Sequence, residues 1–132
     1  MTSSDSGLIL YVHGARDPRW AEPFERLCER IRARSPGLPV SIAFLEHGTP
    51  TLAQAAAQLA DAGVRRVRVA LMFFGRGGHL REDFPRQLAD ARQQLPDLQF
   101  EVTGAAAEDE QVLDVLATFA LEGPARRAKL HQ

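Results

Sequence analysis

Four times along this chain a short apolar run rich in strand formers is followed by a stretch whose apolar residues recur every three to four positions. That alternation leaves few folds open. The first run is "LILYV" at 8–12. In residues 20–34, Phe24, Leu27, Cys28 and Ile31 then fall at i, i+3, i+4 and i+7, one face of a helix, and "SPG" at 35–37 stops it. Residues 40–45 read as a second strand. Residues 51–62 read as a second helix with Leu52, Ala55, Ala56 and Leu59 on its inner face, opened by Thr49 or Pro50 and closed by Gly63. "VRVALMFF" at 67–74 is the third strand. The helix after it is expected to start near Asp83 or Pro85, because proline disfavours helical geometry in the residue before it, and to run to about Gln94. "LPDL" breaks that helix, residues 98–103 form a fourth strand, and residues 108–121 form a fourth helix with Val112, Val115, Leu116 and Phe119 as its buried stripe.

Repeated strand–helix units imply an α/β fold: one three-layer, flavodoxin-like domain over residues 7–121, with a four-stranded parallel sheet and right-handed crossovers. Residues 1–6 are expected to be disordered, and the tail over 122–132, which lacks an apolar period, to be frayed. A chain of 132 residues with 45% apolar content can bury one core without staples. A net charge of −1 argues against a bulk attraction to nucleic acid. No apolar stretch approaches the ~18 residues of a membrane span, and the polar start carries no basic segment of the secretory kind. The single cysteine, Cys28, forms no internal disulfide, which suits a reducing compartment and leads us to expect a cytoplasmic protein.

The unusual side chains fall at the strand ends. His13 follows the first strand, Glu46 and His47 the second, and His79 the third, with 33 residues separating His13 from Glu46 and Glu46 from His79. In a parallel sheet the C-terminal strand ends share one edge, the edge where open α/β sheets bind ligands. A single histidine there is more often an ordinary loop residue. Two imidazoles and a carboxylate on one edge suit a first-row divalent metal, and the carboxylate could also take protons. His47 is expected to point away from the group.

"FFGRGGHLREDFP" at 73–85 puts Gly75, Arg76, Gly77 and Gly78 before His79, with Arg81 just after. The spacing matches neither the dinucleotide nor the P-loop phosphate fingerprint. The glycines either serve a turn that needs positive φ or let a bulky ligand lie against the backbone, with Arg76 and Arg81 meeting its carboxylates. "HGARDPRW" at 13–20 likewise reads as a turn with Asp17 as cap and Pro18 in the first helical position, and it adds Arg16 and Arg19 to the same edge.

With these residues in place, the sequence resembles the short form of the CbiX-type chelatases, the class II tetrapyrrole chelatases that put a metal into sirohydrochlorin. The resemblance covers roughly residues 7–120. It rests on "YVHGARDP", "IAFLEHGTPTL" and "LMFFGRGGHLREDFP", in order and at the family's spacing, the third being the most specific. Val12 stands where the family pattern has glycine, and Ala15 where it has serine. The resemblance implies that His13 and His79 are the metal histidines and Glu46 the acidic residue beside them. It implies a site in a cleft between two similar α/β halves. One chain supplies one half, so a homodimer is expected to rebuild the cleft.

On that reading His13 and His79 hold Co²⁺ or Fe²⁺ while Glu46 accepts a proton or ligates transiently, and Arg16, Arg19, Arg76 and Arg81 are candidates to meet the carboxylates of sirohydrochlorin. No organic cofactor, nucleic acid or membrane is called for; the metal is the second substrate. Neutral imidazole is needed to bind it, so activity is expected to fall below about pH 6. Cobalt insertion for cobalamin synthesis is the leading expectation. The alternatives are a ferrochelatase for sirohaem, nickel insertion, and a non-catalytic metal or tetrapyrrole carrier.

Overall fold

The computed structural model describes residues 5–75 and 77–130, with the backbone alone at residue 79 and over 124–130. Four strands, β1 (Ser6–Val12), β2 (Val40–Phe44), β3 (Arg66–Leu71) and β4 (Gln99–Ala105), alternate with four helices, α1 (Glu22–Arg34), α2 (Leu52–Asp61), α3 (Gly78–Gln94) and α4 (Glu110–Leu130). All strand pairs are parallel, in the order β2-β1-β3-β4. The chain therefore winds from β1 outward to β2, then crosses back to β3 on the other side. The reversal lies between β1 and β3, and a crevice opens outside the carboxyl ends of the strands at such a point.

Alternation along the strands splits the interior in two. Ile9, Tyr11, Val67, Val69 and Leu71 face α2 and α3, where Leu52, Ala55, Ala56, Leu59, Leu80, Phe84 and Ala91 complete one buried cluster. The alanines of α2 carry little side chain, which lets the helix lie close to the sheet. On the opposite face Leu10 and Val12 are buried with Cys28 of α1 in the interior.

Several element ends differ from the sequence expectation, each for a physical reason. β1 begins at Ser6, inside the segment expected to be disordered; Ser6 pairs with Arg66 in β3. α2 opens at Thr51 instead of Thr49 or Pro50, because Thr51 and Gln54 make a reciprocal capping box. β3 stops at Leu71 rather than Phe74, since its partner β1 ends at Val12 and the last bond between them runs from the Met72 amide to the Tyr11 carbonyl. α3 starts at Gly78, well before Pro85, which sits inside the helix. Burial of Leu80 and Phe84, one turn apart in the core, outweighs the bond that Pro85 cannot donate. A 3-10 turn over Ala106–Glu108 precedes α4, whose start is capped by the Asp109 carboxylate accepting from the Gln111 and Val112 amides.

α4 departs most. Helical backbone continues past the expected end at residue 121 to Leu130, with a break at Gly123 (φ 70). Pro124 begins the resumed turn, where proline is tolerated, and the alanines, arginines and lysine beyond it are good helix formers, which explains helix where fraying was expected. Its apolar stripe is not buried as expected: Val112 and Leu116 are half-buried, while Val115 is 61% and Phe119 49% exposed. The helix stands off the sheet, leaving a groove of about 920 Å³ between Leu27, Ala70, Met72, Val112, Val115 and Leu116. The same face of β3 and β4 presents Arg66, Arg68, Gln99 and Glu101 to solvent, although parallel sheets are normally covered on both sides.

Candidate metal site at the strand ends

His13 and Glu46 meet. His13 Nε2 lies 3.2 Å from Glu46 Oε2, with both side chains part-exposed. Adjacent strands deliver them. β1 and β2 pair in register to Val12 and Phe44, and beyond the sheet the ladder continues for two bonds: Leu45 donates to the Val12 carbonyl and Glu46 to the His13 carbonyl, at 2.8 and 3.0 Å. Gly14 makes this approach possible. Its φ is +95, and a Cβ there would lie 1.8 Å from the Glu46 carbonyl oxygen.

The pair has a rigid floor. The Phe73 ring stands edge-on to the His13 imidazole at 6.3 Å. Below it, Tyr11 is fully buried against Phe73 and Phe84. The Tyr11 hydroxyl donates to Gln87 Oε1 at 2.6 Å, and Gln87 Nε2 donates to the Leu45 carbonyl at 3.1 Å. Burial, helped by the negative charge of Asp83, pushes the Tyr11 phenol well above its usual range, so it remains a donor. One glutamine of α3 thus ties β1 to the residue preceding Glu46.

The other expected site residues divide. His79 is the second residue of α3, which opens beyond the end of β3, so its backbone stands on the same sheet edge as His13 and Glu46. Among the described residues no third histidine, cysteine, aspartate or glutamate joins the pair in a set of three. Arg76 lies outside the described residues. Arg16 and Arg81 are exposed near the edge, on the loop after β1 and in the first turn of α3. Arg19 is engaged instead: its guanidinium pairs with Asp17 at 2.8 Å, and that pairing holds the Asp17 carboxyl below its ordinary range. Asp17 also caps the turn at Pro18, as expected. His47 has φ 56 and is exposed.

Gly75, Gly77 and Gly78 do not fit the expectation of a turn that needs positive φ. None has positive φ, and nothing lies within 4 Å of a Cβ added at any of them. Among the described residues neither a positive φ nor packing calls for glycine here. Phe74, just before them, is 79% exposed. Sequence reasoning missed Gln87, which nothing distinguishes from the other glutamines of α3, and it absorbed Phe73 and Phe74 into the third strand.

A four-stranded parallel α/β sheet in this order, with a histidine and a carboxylate in contact at its carboxyl edge, is the fold of the chelatases. Comparison with known proteins makes that specific. The CbiX family model matches residues 7–122, and the chain belongs to the CbiX family. It is 27% identical over 110 residues to the sirohydrochlorin cobaltochelatase of Sulfolobus acidocaldarius, covering 83% of this chain and 85% of that one. It is 33% identical over 81 residues to that of Methanocaldococcus jannaschii, covering 61% and 57%. Among solved structures, a putative cobalamin biosynthesis CbiX protein from Marinobacter aquaeolei superposes with a TM-score of 0.78 at 24% identity, over 92% of this chain and 98% of that one. The sirohydrochlorin chelatase SirB from Bacillus subtilis subspecies spizizenii, in complex with cobalt, gives 0.75 at 19% identity, with 89% of this chain lying over 50% of SirB. These two structural likenesses speak for the fold. The chain spans about half the length of SirB.

Proposed function

We propose that this protein inserts Co²⁺ into sirohydrochlorin. The carrying observation is the contact between His13 Nε2 and Glu46 Oε2 at the carboxyl edge of the sheet, in a chain of the CbiX family whose relatives are named sirohydrochlorin cobaltochelatases. Ligand distances of about 2.1 Å to both atoms would set an N–metal–O angle of roughly 100°, between the octahedral and tetrahedral values. The pair therefore offers one edge of a coordination sphere to a first-row ion without a clash. His79, on the same edge, supplies the second imidazole. Few protein ligands leave the remaining positions to water and then to the pyrrole nitrogens, so the ion is held and can be handed over. Glu46 is the acceptor for a departing pyrrole proton. Arg16 and Arg81 meet substrate carboxylates, helped by the uncapped first turn of α3, whose free N–H groups favour negative charge.

A second copy of the chain completes the cleft in this reading. Two observations support it: the chain has about half the span of SirB, and the apolar stripe of α4 is left uncovered. The cytoplasm is the proposed compartment, in keeping with one unpaired, buried cysteine. Among the described residues no helix is long and apolar enough to cross a membrane.

The test is an absorbance time course. Anaerobic sirohydrochlorin is mixed with Co²⁺, or with Fe²⁺, with and without protein. Protein-dependent movement of the visible bands is expected, faster with Co²⁺, and His79→Ala is expected to keep the fold and lose the acceleration. Faster turnover with Fe²⁺ would reassign the metal. Near-normal turnover in His79→Ala would overturn the ligand assignment.

A further inference from the structure

Five large apolar side chains are notably exposed among the described residues: Phe74, Leu113, Val115, Phe119 and Leu121. Four of them lie on α4. Phe74 alone stands at the carboxyl edge of the sheet, in the connection between β3 and α3. Its surroundings are specific. Phe73, immediately before it, abuts the His13 ring. Gly75, Gly77 and Gly78 follow, each with open space where a Cβ would be. The strip beside the His13–Glu46 pair is thus apolar at Phe74 and bare at the glycines, a surface shaped for something broad and flat.

We propose that Phe74 is the contact on which the apolar face of the tetrapyrrole ring rests. The inference builds on the chelatase reading above and adds a residue whose role is to grip and level the ring rather than to hold the ion. Arginines at the rim fix the carboxylates but do not set the tilt of the macrocycle. An aromatic face does, because offset stacking holds two rings with their planes nearly parallel. At Gly75, Gly77 and Gly78 themselves no side chain stands in the way of the ring edge.

Phe74→Ser and Phe74→Trp test this in the full chain, with binding of metal-free sirohydrochlorin and steady-state insertion of Co²⁺ as readouts. Because Phe74 is 79% exposed, neither variant threatens the fold, and melting curves check that. Phe74→Ser is expected to raise both the ring Kd and KM about tenfold, with kcat within about twofold and Co²⁺ binding alone unchanged; Phe74→Trp is expected to restore wild-type values. Unchanged Kd and KM in Phe74→Ser, with an active parent, would overturn the role of Phe74 and leave the chelatase reading intact. So would equal losses in both variants accompanied by a lowered Tm. A parent that neither binds the ring nor accelerates insertion would remove the chelatase reading and this inference with it.

Discussion

Gly14 shows how much of a site can depend on an atom that is absent. Its positive φ strains any other residue, and a Cβ would collide with the Glu46 carbonyl. Gly14→Ala is therefore expected to separate the two strand ends, lowering stability by about 2 kcal/mol or more, since backbone strain of this kind alone costs about 1–3 kcal/mol. The variant should also lose insertion activity. Thermal melts and the absorbance assay check both; an unchanged Tm would show that the loops part freely. That His13 and Glu46 would converge was legible in the sequence, because parallel topology puts consecutive strand ends on one edge. The need for glycine at position 14 was not, because it arises from a backbone 32 residues away. For Arg19 the charge was visible in the sequence, and its pairing with Asp17 two residues earlier was not, being a matter of local rotamers.

At the scale of elements, α3 holds the site in shape through Gln87, which bonds the Tyr11 hydroxyl and the Leu45 carbonyl together. Gln87→Leu strands both groups in a part-buried setting. The expected loss is about 2 kcal/mol, since each unmet group costs about 1–3 kcal/mol and water reaches this place in part. A lower denaturant midpoint at unchanged m-value would show it; an unmoved midpoint would mean that neither bond matters. Helix periodicity located α1 and α2 well, because their stripes are complete and their stops are clear. It placed the start of α3 too late, because Pro85 is a strong local signal and the burial of Leu80 and Phe84 is a tertiary one. The overlong third strand has a similar cause. "VRVALMFF" has strand composition throughout, but pairing ends where the neighbouring strand ends.

The whole molecule is lopsided. One face of the sheet is sealed by α2 and α3, and the other is closed by α1 but left open beneath α4. The apolar stripe of α4 was legible in the sequence; what covers it was not, because a stripe looks the same whether its cover is the sheet or another molecule. If a second copy covers it, Val115 and Phe119 each contribute on the order of 1.5–3 kcal/mol on full burial. Phe119→Asp is then expected to convert a dimer to a monomer in sedimentation at micromolar concentration. A monomeric parent, or a variant that remains dimeric, would place the interface elsewhere.

The position of β1 carries a consequence for how the protein comes into being. It precedes β2 and β3 along the chain, yet it lies between them in the sheet. Two parallel strands alone make a poor sheet, so the strand that leads into His13 has no complete set of neighbours until β3 pairs with it. Any arrangement of the chain that lacks β3 therefore leaves β1 short of a neighbour and the His13–Glu46 pair without the Phe73 ring beside it.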